Sequence, residues 1–92
     1  SFNLISQIRR AALSVPANIA EAQGRYHDAQ TILFLYNARG SAEEVRSHLT
    51  AAVDLGYISK ADFDKLEEEY IGLIKGINSF IKSIKQKKSQ LT

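Results

Sequence analysis

The chain holds 92 residues, 45% of them hydrophobic, with a net charge of +2 and a pI near 9.0; one domain of that length buries roughly 60–65% of its unfolded surface and is marginal as a lone monomer. The absence of cysteine excludes disulfides and thiolate metal sites and suits a reducing, cytoplasmic setting. No apolar run approaches the roughly 20 residues of a membrane span, and no signal-peptide pattern opens the chain, so no membrane partner is expected.

Apolar spacing predicts three helices and no strand. The first, about 2–23, places Leu4, Ile8, Ala11, Val15, Ile19 and Ala22 on one face at intervals of three and four. Arg10, Ser14, Asn18, Glu21 and Arg25 follow the same spacing as a polar stripe. Pro16 lacks a backbone donor and crowds the carbonyl of Ala12, so this segment bends there or divides; the apolar stripe stays in phase across it, which favours a bend. Gly24 is positioned to end the helix, and Asp28 to begin the next.

The second helix, about 28–55, directs Ile32, Leu33, Tyr36, Val45, Leu49, Ala52 and Leu55 to the core. Gly40 within it costs about 1 kcal/mol relative to alanine, and close approach of another helix is the expected compensation. Ser41 is expected to bond back to the carbonyl of Asn37. Gly56 ends the helix, and Ser59 followed by Asp62 opens the third, about 60–88, with a short tail at 89–92. Here Phe63, Tyr70, Ile77, Ile84 and Leu91 recur every seven residues, with Leu66, Leu73 and Phe80 between them and Ile74 and Ile81 widening the stripe. That is the pattern of a long helix in a coiled-coil-like seam.

Charge is uneven along this third helix. Five acids crowd residues 59–70, whereas residues 71–92 carry five lysines and no acid. The helix macrodipole and solubility account for such a gradient on their own, but Lys82, Lys85, Lys87 and Lys88 also form a local field that attracts phosphate. In the polar stripe, arginines offer paired donors to phosphate; a structural network, with Glu21 pairing with Arg25 and Asn18 serving backbone near Pro16 or another subunit, is favoured because Glu21 sits between the arginines. His27 and His48 have no second ligand at a metal-binding spacing, and no phosphate loop or nucleophile set is present. No enzyme activity, cofactor, metal or small-molecule substrate is therefore expected. Tyr36 and Tyr70 read as core, Tyr26 and Tyr57 as surface rings able to stack on bases.

The stretch QIRRAALSVPANIAE from Gln7 to Glu21, with Gly24 and Arg25, then Gly40, Ser41 and Glu44, then Leu55, Gly56 and Tyr57, resembles the four-helix-bundle proteins encoded by intervening sequences in bacterial 23S ribosomal RNA genes. The resemblance extends to about Ile84 and implies an all-α, antiparallel up-and-down four-helix bundle that assembles into a homo-oligomeric ring, often of five subunits. The family pattern begins with a further helix before about Leu4, so three long helices are expected here with the first one missing, leaving an apolar groove for an unseen helix, a neighbouring subunit or an exchanged segment. Ala22 stands where the family usually has glycine. A more distant likeness, to the basic pentameric accessory proteins of diversity-generating retroelements, points toward nucleic acid.

The sequence thus predicts a non-enzymatic ring that binds RNA or DNA through Arg9, Arg10, Arg25, Lys82, Lys85, Lys87 and Lys88. Ser14, Asn18 and Glu21 would form a structural or intersubunit polar network, and Pro16, Gly40 and Ser41 would shape helix packing. The alternative is an oligomeric protein-interaction scaffold with no nucleic-acid role.

Overall fold

The structure, a computed structural model, describes residues 2–91 and the side chains of 3–87. Among the described residues the chain is all-α: α1 spans Phe2–Gln23, α2 Asp28–Asp54 and α3 Lys60–Leu91. No helix is long and apolar enough to cross a membrane. Pro16 lies inside an unbroken α1, so the segment does not divide into two helices.

Local chemistry sets the ends. α2 closes on a Schellman turn: Leu55 is the C-cap, Gly56 takes a φ of 77°, and the amides of Gly56 and Tyr57 donate to the carbonyls of Val53 (3.1 Å) and Ala52 (2.8 Å). Gly56 is the position where that left-handed conformation requires glycine. α3 opens on a Ser59 cap whose hydroxyl accepts the Asp62 amide at 3.0 Å, with acids in its first turns, as the macrodipole favours. It continues to Leu91, past the boundary expected at about 88.

α2 is the middle helix. Ser14 meets Ser41 across the α1–α2 seam, Arg39 meets Asn78 and Arg46 meets Glu67 across the α2–α3 seam, and residue numbers rise on one helix as they fall on the other. Both pairs are therefore antiparallel. α1 and α3 have no Cα atoms within 8 Å of each other. The molecule measures 52 × 21 × 13 Å, with a radius of gyration of 15.3 Å, against about 12 Å for a compact domain of this length. This is a bent layer of three helices, open on one side.

The buried stripe of α2 is Leu35, Ala38, Ala42, Val45, Leu49 and Ala52, spaced three and four apart. Leu33 and Leu55, expected in the core, are instead 55% and 63% exposed. Leu33 stands two residues, about 200° of helical turn, from Leu35, so both cannot face inward. Leu55 lies beyond the last turn of the helix as its cap. In α3 the best-buried residues are Ile74, Ile77 and Ile81, which meet Val15, Ala42, Leu35 and Ala38. The seven-residue series Leu66, Leu73 and Phe80 is left half-covered, Phe80 being 45% exposed. On α1, Ile5 and Leu13 are exposed as well.

Two expectations at the centre of α2 are corrected. Ser41 donates to the Ser14 hydroxyl at 2.8 Å rather than back to Asn37, because α1 places a stronger partner within reach. Gly40 faces open space with nothing within 4 Å of where a Cβ would stand, so no helix approaches it. Pro16 is exposed too, and its effect is on the backbone of α1 and not on a packed interface. Gly40→Ala should raise stability by about 0.5–1 kcal/mol through helix propensity alone. Leu35→Ala, at the fully buried centre, should lower it by about 2–5 kcal/mol; urea unfolding followed by circular dichroism measures both.

Candidate nucleic-acid interface

The cations foreseen as phosphate contacts fall into three groups that the fold does not bring together. Arg9 and Arg10 are exposed on the first half of α1. Arg10 lies one turn before Ser14 and Lys82 one turn after Asn78, and the seams place Ser14 and Asn78 against Ser41 and Arg39 of α2. By helix rise, Arg10 and Lys82 are roughly 15 Å apart along the axis. Arg25 is already engaged: it pairs with Glu21, and its guanidinium lies 4.5 Å from the centre of the Phe34 ring. Lys82, Lys85 and Lys87 are exposed on the last turns of α3, while the side chain of Lys88 lies outside the described residues.

Ser14, Asn18 and Ser41 do meet. The Asn18 side-chain amide donates to the Ser14 carbonyl (2.8 Å) and hydroxyl (3.0 Å), and Ser41 donates to that same hydroxyl from α2. Three polar groups within a seam of alanines thereby satisfy one another. The carbonyl that Pro16 frees belongs to Ala12, so the Asn18 bond to Ser14 serves the seam and not the proline. Glu21 stands apart from this network, on Arg25.

The α2–α3 seam has two chemically different ends. Near the start of α3, Arg46 donates Nε (2.9 Å) and Nη2 (2.5 Å) to one oxygen of Glu67, and Glu43 lies 3.3 Å from its Nη1. The Glu67 bond, seconded by Glu43, raises the Arg46 pKa further, so this guanidinium stays protonated. At the other end, Arg39 donates to the neutral Asn78 amide at 2.8 Å, and Lys85 donates to the Tyr36 hydroxyl at 2.6 Å. Both cations lie near the Tyr36 ring, at 4.8 and 5.3 Å from its centre.

A surface groove of about 430 Å³ opens there, lined by Tyr36, Arg39, Asn78, Ile81, Lys82, Lys85 and Gln86. None of the seven is acidic. The chain thus concentrates three cations in a concavity without a carboxylate. Arg39, Asn78 and Gln86 were not foreseen, and Tyr36 was read as core, whereas it is half-buried with its hydroxyl at the groove. The spacing of Asn78, Lys82 and Gln86 at every fourth residue was visible in the sequence; that Tyr36 and Arg39 lie opposite them depends on the register of two helices. Among the described residues, no group of three His, Cys, Asp or Glu is placed to hold a metal ion.

The sequence profile that describes 23S rRNA-intervening sequence proteins matches residues 1–79. The chain belongs to that family. The crystal structure of a protein of unknown function from the S23 ribosomal protein family of Bacteroides thetaiotaomicron superposes with a TM-score of 0.87 at 28% identity, over 89% of this chain and 76% of that one. No curated protein of assigned function matches the chain. The family match ends before Ile81, Lys82, Lys85 and Gln86, short of the boundary expected near Ile84, so four of the seven lining residues follow the segment by which the family is recognised.

The Lys85 hydrogen bond, aided by the charges of Lys85 and Arg39, lowers the Tyr36 pKa from the ordinary tyrosine value. The folded state favours the ionised ring, so the resulting stability appears only as pH rises into the tyrosine range and is absent at neutral pH. Lys85→Ala should move the Tyr36 ionisation upward, measured by the pH dependence of its ring carbon resonances; an unchanged midpoint would mean that the Lys85 bond is not maintained in solution.

Proposed function

We propose that this family member is a non-enzymatic, cytoplasmic, homo-oligomeric protein that binds RNA or DNA through phosphate contacts from the basic end of α3. The observation that carries this reading is the placement of charge. From Ile71 onward the chain has five lysines and no acid, and Lys82, Lys85 and Lys87 are exposed with no carboxylate partner among the described residues. Repetition of that end around a ring multiplies weak phosphate contacts into useful affinity. Binding of this kind is tolerant of sequence and falls steeply with salt.

Assembly is supported from the opposite flank of α3. Leu66 and Leu73 are only half-buried at the edge of the core and Phe80 is exposed, and apolar surface of that form is stabilised by burial against another helix. A fourth helix, as in the up-and-down bundle the family resemblance implies, or a neighbouring copy in a five-membered ring would supply it. The exposed Tyr26 and Tyr57 rings are available for stacking on bases.

Light scattering at two salt concentrations, with and without a short RNA, tests both halves of the proposal. The expected mass is a multiple of 10.2 kDa that survives high salt, with an RNA-dependent increase only at low salt. A ring indifferent to RNA would transfer the role to a protein-interaction scaffold, and a monomer would remove the assembly. Phe80→Asp should lower the oligomeric mass while leaving the helical circular dichroism intact. Replacing Lys82, Lys85, Lys87 and Lys88 together with alanine should weaken RNA binding by tenfold or more at low salt; unchanged affinity would take the end of α3 out of the interface.

A further inference from the structure

Most cations of the two seams already have a carboxylate: Arg25 has Glu21, Arg46 has Glu43 and Glu67, and Lys60 has Asp64. The groove between Tyr36 of α2 and the last turns of α3 departs from this pattern. Arg39 engages a neutral amide and the Tyr36 ring, Lys85 the Tyr36 hydroxyl and ring, and Lys82 lines the same concavity with no hydrogen bond or ion pair among the described residues. Like charges held close repel unless something neutralises them, and among the described residues no acid lines the groove. The groove is rich in cationic donors, and its own acceptors are neutral.

Its donors suit a tetrahedral oxyanion. Arg39 commits one guanidinium N–H to Asn78 and keeps the rest of its planar fork, Lys82 retains its ammonium, and Lys85 uses one donor on Tyr36. These come from two helices and so converge from different directions, and the Asn78 and Gln86 amides add neutral donors at the rim. The Asn78 bond holds Arg39 against α3, which orders the guanidinium before any ligand arrives. A volume of about 430 Å³ exceeds what a bare phosphate fills, since liquid water takes about 30 Å³ per molecule. The excess, walled by Ile81 and the edge of Tyr36, leaves room for the sugar attached to a phosphate.

We propose that the α2–α3 groove is a phosphate-ester site, in which Arg39 and Lys82 bind the phosphate oxygens and Lys85 adds a third contact. This deepens the nucleic-acid reading and rests on it for the source of the ester, a phosphodiester of a single strand. It also moves the centre of recognition from the lysine-rich terminus to a built site to which α2 contributes Arg39. The shared chemistry admits a second source, a free mononucleotide, which the experiment separates.

The test compares wild-type protein with Arg39→Ala/Lys82→Ala and with Lys60→Ala/Lys65→Ala, a control that removes the same charge from exposed positions outside the groove and outside the basic end of α3. Binding of a ten-nucleotide single-stranded RNA and of uridine monophosphate is measured by fluorescence anisotropy and calorimetry across a salt series, with circular dichroism confirming that each variant is folded. The expected result is a loss of tenfold or more in RNA affinity for the groove variant, no more than about threefold for the control, and a salt slope reduced by about 0.7 per lost contact only in the groove variant. Equal losses in the two variants would overturn the groove, leaving general nucleic-acid binding in place. Binding of uridine monophosphate but not RNA, abolished in the groove variant, would uphold the site and remove the nucleic-acid reading. Binding of neither ligand by wild-type protein would overturn both.

Discussion

The seam between α1 and α2 is filled by small side chains, and the rest of the architecture depends on it. Ala11 and Ala22 from α1 lie with Ala38, Ala42, Leu35 and Val45 from α2, and Ala38 and Ala42 are completely excluded from solvent. Alanine brings two helix backbones to the short end of the usual interaxial range, about 8 Å. At that distance a hydroxyl on each helix can touch, which is why Ser14 and Ser41 bond to each other. The seam is thus solvent-excluded at Ala38 and Ala42 and satisfied at its hydroxyls, and its packing fixes the rotational setting of α2 against α1.

That setting decides what α3 meets. With its alanine stripe turned toward α1, α2 offers α3 the edge of this stripe, where Ile74, Ile77 and Ile81 are buried. Beyond it comes a polar flank carrying Tyr36, Arg39 and Arg46. α3 accordingly lies beside α2 without approaching the backbone of α1. One flank of α3 faces the polar edge of α2, and on the other Leu66 and Leu73 pack partly against the core while Phe80 is left exposed. The basic groove and the half-covered apolar flank are two consequences of one geometric choice.

The sequence disclosed the helical class because three- and four-residue spacing is strong in α1 and seven-residue spacing strong in α3. The Gly56 turn and the Ser59 cap were also visible, since each depends on a residue and its near neighbours. α2 was harder to orient. Its true stripe consists half of alanines, which carry little hydropathic weight and so do not mark the phase that separates Leu33 from Leu35, although only one of the two can face inward. The candidate site was legible only on its α3 side. Lysines announce themselves in sequence, but a groove between antiparallel helices needs their relative register, and nothing local connects Arg39 with Asn78 or Tyr36 with Lys85.

The macrodipole of α3 accounts for acids at its beginning and lysines at its end, and on that ground alone its charge gradient carries no functional meaning. Arg39 is the residue that this explanation does not reach. It belongs to α2, well inside Asp28–Asp54 and away from the C-terminal turn where a cation is favoured, yet it joins two lysines around Tyr36. On the same seam, Arg46 has two glutamates within reach while Arg39 has only an amide. Helix-end electrostatics would be equally satisfied with a neutral residue at position 39. Holding an uncompensated guanidinium between lysines opposes folding through repulsion, and that cost is offset when an anion occupies the groove.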